Sequence, residues 1–224
     1  MAFLSCNAQG LANPAPQVKT KAMQRVIYPK FTVIEDFLPP EQAQAWLDFA
    51  LAHEGDFIPT GVVSAGTHGV NHDYRRSDSF PGSLGTLAED FKARVQAALP
   101  QLREATGVAD FPIAEVEVDL TAHRDGAYFR SHVDTLADAD SPAGDRMLTA
   151  VWYCHAQPAR FSGGELLVQP FGGQDEAQVI APRHNRLVSF PSIARHEVAT
   201  VQVPGNRFAD ARFAVNCWVL RKRA

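Results

Sequence analysis

Arg212-Phe213-Ala214-Val215-Asn216-Cys217-Trp218 is the stretch on which the fold turns, because its side chains change character with a period of two. On an extended chain residues 212, 214, 216 and 218 share one face, and the apolar residues 213, 215 and 217 share the other. Working outward from it, shorter runs of the same kind come before: Ile113 to Leu120, Leu148 to Tyr153, Glu165 to Val168, Leu187 to Phe190 and Val198 to Val203. The clusters Ser162-Gly163-Gly164 and Phe171-Gly172-Gly173 supply turns between them. Many short strands punctuated in this way predict a β-sandwich or jelly roll for the C-terminal half.

Upstream the period changes. Phe31-Thr32-Val33-Ile34 reads as a short strand, and Glu41 to His53 as a helix, with Pro39 and Pro40 at its start and Ala43, Trp46, Leu47 and Ala50 on one side. A second helix is predicted from Ser83 to about Thr106, ending before Gly107; Pro100 is expected to kink or split it. Residues 55–80, rich in Gly, Ser, Thr, His and Asp, read as a long surface excursion of the kind that often carries function. Residues 1–24 show no apolar periodicity and are expected to form a flexible tail, which leaves 25–224 as one catalytic domain, mainly β with helices bracing one sheet.

The chain has 224 residues, 46% of them hydrophobic, enough for one substantial core. Its formal charge of −4 arises from 21 basic and 25 acidic residues without a basic stripe, which argues against a nucleic-acid partner. Cys6, Cys154 and Cys217 form no Cys-x-x-Cys pair, so neither a disulfide framework nor a thiolate zinc site is indicated and a reducing cytoplasm suits them. No apolar window is long enough to span a bilayer, and the N-terminus lacks a secretory pattern; a cytoplasmic protein without a membrane partner is expected. Oligomeric state is not legible.

His132-Val133-Asp134 places two ligand-type side chains at i and i+2, on the same face of a strand. His196, beyond several strand runs, offers a third. Two imidazoles and a carboxylate make the facial triad of iron(II) oxygenases, although the same donors suit zinc. His123-Arg124-Asp125 has the same spacing, but Asp125 precedes Gly126 and reads as a turn cap. His72-Asp73 would diverge on a strand; His53, His68, His155 and His184 have no paired ligand pattern. Arg212 heads its strand and could bind a carboxylate through two parallel hydrogen bonds, where the plain alternative is a solvated charge.

Four segments, in order, then carry a resemblance that covers roughly Phe31 to Arg221: Tyr128 to Thr135 around the first ligands, Phe161-Ser162-Gly163-Gly164-Glu165-Leu166, Phe190-Pro191-Ser192 leading to His196-Glu197-Val198, and Arg212 to Trp218. Together they resemble the prolyl 4-hydroxylase-like iron(II)/2-oxoglutarate dioxygenases. The resemblance implies a double-stranded β-helix (jelly roll, cupin-like) core and an oxidoreductase that needs Fe(II) and uses 2-oxoglutarate and O2 as co-substrates, with ascorbate as an accessory. It implies His132, Asp134 and His196 as catalytic metal ligands, and Arg212 and Tyr153 as the grip on the distal carboxylate of 2-oxoglutarate. His123 stands where relatives often have tyrosine, and Asn216 is a further candidate near the open coordination positions. Arg207 is set aside, because only Arg212 is followed at the family's spacing by tryptophan. Asp134 favours hydroxylation, since related halogenases lack that carboxylate.

The substrate is expected to be decided by the 55–80 excursion with Arg75 and Arg76, by the acidic loop Thr135 to Asp145, and by Arg146, which resembles a substrate-side arginine in relatives. The compact chain favours an amino-acid-like or natural-product small molecule over a folded protein. Two alternatives stand: a prolyl-type protein hydroxylase with the same chemistry, and a jelly-roll protein that binds a metal or small acid without catalysis. A zinc hydrolase would leave Arg212 and Tyr153 without a common purpose.

Overall fold

The computed structural model describes residues 26–64, 67–135, 144–172 and 176–223; the expected tail and most of the acidic loop after Thr135 lie outside them. Among the described residues, sixteen strands run in chain order: β1 (Thr32–Ile34), β2 (Ile58–Pro59), β3 (Val62–Ser64), β4 (Thr67–Gly69), β5 (Arg75–Arg76), β6 (Asp78–Ser79), β7 (Ile113–His123), β8 (Tyr128–His132), β9 (Asp145–Cys154), β10 (Ser162–Gly163), β11 (Leu166–Val168), β12 (Gln178–Ile180), β13 (Leu187–Pro191), β14 (His196–Val198), β15 (Val201–Gln202) and β16 (Arg212–Arg221). Seven form a major sheet in the order β1-β13-β9-β16-β7-β6-β2, and five a minor sheet in the order β12-β11-β14-β8-β5.

Alternation assigns the two faces of the major sheet. Leu148, Ala150, Trp152 and Cys154 of β9, with Phe213, Val215, Cys217 and Val219 of β16, face the helices α1 (Pro40–Ala52) and α2 (Gly85–Thr106). Val151, Tyr153 and Ala214, between them in sequence, pack instead against Leu166, Val168 and Ile180 of the minor sheet. The stripe read from Arg212 onward is therefore one face on the helices and one face inside the sandwich. Trp46 and Trp152, both fully buried, meet at 6.2 Å between ring centroids, and Phe91 abuts Trp46 edge-on at 5.8 Å. Full burial of each such side chain contributes about 1.5–3 kcal/mol. Asn185 fastens this layer: its Oδ1 accepts from Trp152 Nε1 at 2.9 Å and from Leu38 N at 3.0 Å, while its Nδ2 donates to Leu38 O at 2.8 Å.

Three expectations are corrected. The second helix is not split: it runs as one helix from Gly85 to Thr106 with Pro100 inside it. Gln96, whose carbonyl the proline cannot serve, is exposed, so water can satisfy it, while Val95, Leu99 and Leu102 are buried on both sides of the proline. The 55–80 excursion is not a plain loop, because it adds β6 and β2 to one edge of the major sheet and β5 to the minor sheet. The predicted strand Val198 to Val203 is split: β14 pairs with β8 and β11, whereas β15 leaves to pair with β10. Pairing to a distant edge has no period of its own, which is why these short pieces escaped a reading by periodicity. Among the described residues, no helix is long and apolar enough to cross a membrane.

Candidate metal centre and co-substrate pocket

Antiparallel pairing of β8 and β14 sets His132 directly opposite His196. Asp134 follows two residues after His132, and its backbone N–H donates to Ser192 O at 2.9 Å, which ties it to the turn leading into β14. Val133, between the ligands, points out and is 39% exposed, as alternation requires. The three side chains are buried, and one donor atom from each lies within 4.8 Å of the others. His132 Nε2 is 3.6 Å from Asp134 Oδ1, and His196 Nε2 is 3.6 Å from Asp134 Oδ2.

The donor set fits a metal. His132 Nδ1 lies 2.7 Å from Arg130 O and His196 Nδ1 lies 2.9 Å from Ala194 O, so each Nδ1 carries the proton and each Nε2 turns a lone pair inward. Two donors bound at about 2.1 Å to one ion stand at most about 4.2 Å apart, and both 3.6 Å separations meet that limit. Thr149 Oγ1 donates to Asp134 Oδ2 at 2.8 Å. Burial acts to raise the Asp134 carboxyl, yet it is held below the usual range, with the Thr149 hydrogen bond among the groups that lower it. Burial, then His196, keeps His132 neutral. Phe129 lies flat on His132, with 3.5 Å between centroids and 20° between planes, fixing that imidazole.

Arg212 opens β16 opposite His123, the last residue of β7. It is 1% exposed and makes no ion pair among the described residues, and its Nε has no partner. One terminal nitrogen donates to His123 Nδ1 at 3.1 Å, so His123 is the neutral acceptor that orients the guanidinium. Burial and then Arg212 push the His123 pKa well below its usual value, in keeping with that role. Tyr153, fully buried with the Arg212 guanidinium 4.7 Å from its ring centroid, leaves its hydroxyl without a partner. A buried, unpaired guanidinium beside an unpaired hydroxyl is a costly arrangement that a carboxylate relieves. Gly164 makes room for it: a Cβ there would come within 2.6 Å of Arg212 Cδ, and its φ of +71° disfavours any side chain.

His132, Asp134, His196, Arg212, His123 and Asn216 thus line one cavity, in which Arg75 and Trp218 also take part. Arg76 does not join them; it is exposed and follows Arg75 on β5, so alternation turns it away. Arg146 is paired with Glu117 and stacked on Trp218. Arg207 has a side chain 73% exposed and pairs with Asp210, which leaves Arg212 as the arginine inside. Asp125, of the decoy triplet, accepts from Val203 N at 2.8 Å and caps backbone. Sequence reasoning passed over Thr149 and Phe129. Thr149 shares the inward face of β9 with Val151 and Tyr153, and a hydroxyl on that otherwise apolar face was the available signal; Phe129 gave none.

Residues 118–220 match the model of the 2OG-Fe(II) oxygenase superfamily. An uncharacterized PKHD-type hydroxylase of Synechocystis sp. is 32% identical over 197 residues; the match takes in 84% of this chain and 62% of that relative, so the chain spans less than two thirds of its length. Two solved structures share the fold, each with a TM-score of 0.63 and 86% of this chain covered. One is a Pseudomonas putida prolyl-4-hydroxylase, 21% identical and 93% covered. The other is a prolyl hydroxylase from Trichoplax adhaerens in complex with a hypoxia inducible factor peptide fragment, 18% identical and 84% covered.

Proposed function

We propose that the protein is an iron(II)- and 2-oxoglutarate-dependent hydroxylase. One observation carries the reading: the His-Asp-His donor set and the buried Arg212, whose Nε has no partner, line the same cavity. The triad alone suits zinc equally, whereas the arginine gives the pocket a use for a dicarboxylic co-substrate. Iron bound there would supply oxidation of an unactivated C–H bond, coupled to conversion of 2-oxoglutarate and O2 into succinate and CO2. The chain's own work is positioning: His132, Asp134 and His196 hold the ion, Thr149 and Phe129 fix two of those ligands, and Arg212, oriented by His123, takes the far carboxylate with the Tyr153 hydroxyl.

For the acceptor, the names of the two similar solved structures support a residue of prolyl type in a polypeptide better than the small molecule favoured by the compact chain. Stoichiometric succinate formation that requires iron, 2-oxoglutarate and O2 tests the chemistry. A protein that binds 2-oxoglutarate but never consumes it across peptide and amino-acid panels would leave only the binding-protein reading.

A further inference from the structure

The charged side chains around the pocket are of two kinds. Arg146 is already engaged within the protein: its Nε and Nη2 donate to Glu117 Oε2 at 2.8 and 2.6 Å, and its guanidinium lies 3.8 Å from the Trp218 ring centroid. Arg75 is held but not satisfied. Its Nε donates to Ser77 Oγ at 2.8 Å and its guanidinium lies 4.6 Å from the Phe129 ring centroid, yet its terminal nitrogens meet no acceptor among the described residues. Asp119 stands directly opposite Asn216 in the β7–β16 register, on the inward face that also carries His123, and makes no ion pair among the described residues.

Burial presses on both groups, raising the Asp119 carboxyl and lowering the Arg75 guanidinium, and each is the first charge to relieve the other. Arg75 and Asn216 line the same cavity, and Asp119 stands opposite Asn216 without an ion pair to Arg75. Two opposite charges left in that state favour a ligand that bridges them. On β16, Asn216 is four residues from Arg212, on the order of 13 Å along the strand, so this place is separate from the co-substrate anchor.

We propose that Arg75 and the Asp119–Asn216 pair form a second polar subsite that grips the backbone of an amino-acid unit, Arg75 taking its carboxyl or carbonyl oxygen and Asp119 its amine or amide N–H. The inference rests on the hydroxylase reading and names what that pocket recognises. A simple anion would meet Asp119 and a simple cation would meet Arg75, so both are disfavoured. An α-amino-acid unit carries an oxygen acceptor and a nitrogen donor on either side of one carbon, which matches. The same chemistry comes from a free amino acid, with full charges, or from a residue within a peptide, with amide dipoles.

The test loads the full chain with Mn(II) and 2-oxoglutarate and follows paramagnetic broadening of the proton resonances of two probes, free L-proline and an acetyl- and amide-blocked pentapeptide with a central proline. The wild type should broaden one of them. Arg75→Gln and Asp119→Asn should each weaken that probe's binding about tenfold or more, while calorimetry shows unchanged 2-oxoglutarate affinity and hence an intact pocket. Broadening of proline alone assigns a free amino acid; broadening of the peptide alone assigns a peptide residue. Equal binding in the variants, or a wild type that broadens neither probe, overturns the subsite. Succinate formation by the iron-loaded wild type judges the hydroxylase reading separately: its absence sinks that reading even where probes bind, and its presence with indifferent variants sinks only the subsite.

Discussion

His132 and His196 face each other across the β8–β14 pair, residue opposite residue, with ring centroids 4.1 Å apart. Cross-strand partners in antiparallel pairing have Cβ atoms about 4.5–5.5 Å apart, so a one-residue slip would send one imidazole to the other face and dissolve the site. The metal centre is thus a property of strand register as much as of residue identity. Mn(II) or Fe(II) should raise the thermal midpoint of the wild type, by about 2.7 kcal/mol of stabilisation at a hundredfold excess over Kd. His132→Ala, Asp134→Ala and His196→Ala should each remove that rise; calorimetric scans with and without metal decide it, and a retained shift in all three would move the metal elsewhere.

Arg212→Ala should raise the 2-oxoglutarate requirement roughly ten- to a hundredfold, since a hydrogen bond to a charged group is worth about 1.5–3 kcal/mol. Arg207→Ala should leave it unchanged, because that side chain is 73% exposed. Titration of 2-oxoglutarate into the Mn(II)-loaded protein measures both. An equal loss from Arg207→Ala would show that the anchor has been misplaced.

Gly164→Ala should reproduce part of the Arg212 loss without touching the metal. The added methyl would press on Arg212 Cδ and on Val201 Cγ2 at a residue with φ +71°, so the guanidinium must move. Metal affinity retained with weakened 2-oxoglutarate binding is the expected pattern. If co-substrate binding is intact, the glycine is there for the turn only.

His123 contributes a pH dependence of stability. Its folded-state pKa is depressed by burial and by Arg212, so the native state keeps it neutral while the unfolded chain takes up a proton as the pH falls below about 6.5. The stability it contributes is complete above that value and is lost on acidification, at up to about 1.4 kcal/mol per pH unit for one proton. In urea unfolding of the metal-free protein, the gap between wild type and His123→Gln should therefore change between pH 7.5 and pH 5.5, with the wild type losing more. Parallel pH profiles would show that His123 titrates alike in both states.

Asn185→Ala should destabilise the fold by several kcal/mol while leaving an intact site in whatever fraction remains native. It would strand the buried Trp152 N–H and the backbone N–H and C=O of Leu38, each worth about 1–3 kcal/mol unsatisfied. Denaturant midpoints compared at saturating metal and 2-oxoglutarate test this.

What the chain states by itself is local. The two-residue period from Arg212 to Trp218 is the signature of β16, the helical period around Trp46 that of α1, and the i, i+2 spacing puts His132 and Asp134 on one face. The distance to Trp218 is also what singles out Arg212 over Arg207 in the sequence. What only the tertiary structure decided is who faces whom. The His132–His196 register, the Arg212–His123 contact, the Thr149 support of Asp134 and the Asp119–Asn216 register all join residues far apart in the chain. Periodicity records which side of a strand a residue takes, because sterics act between neighbours; it does not record which strand lies alongside, because that depends on burying whole faces at once.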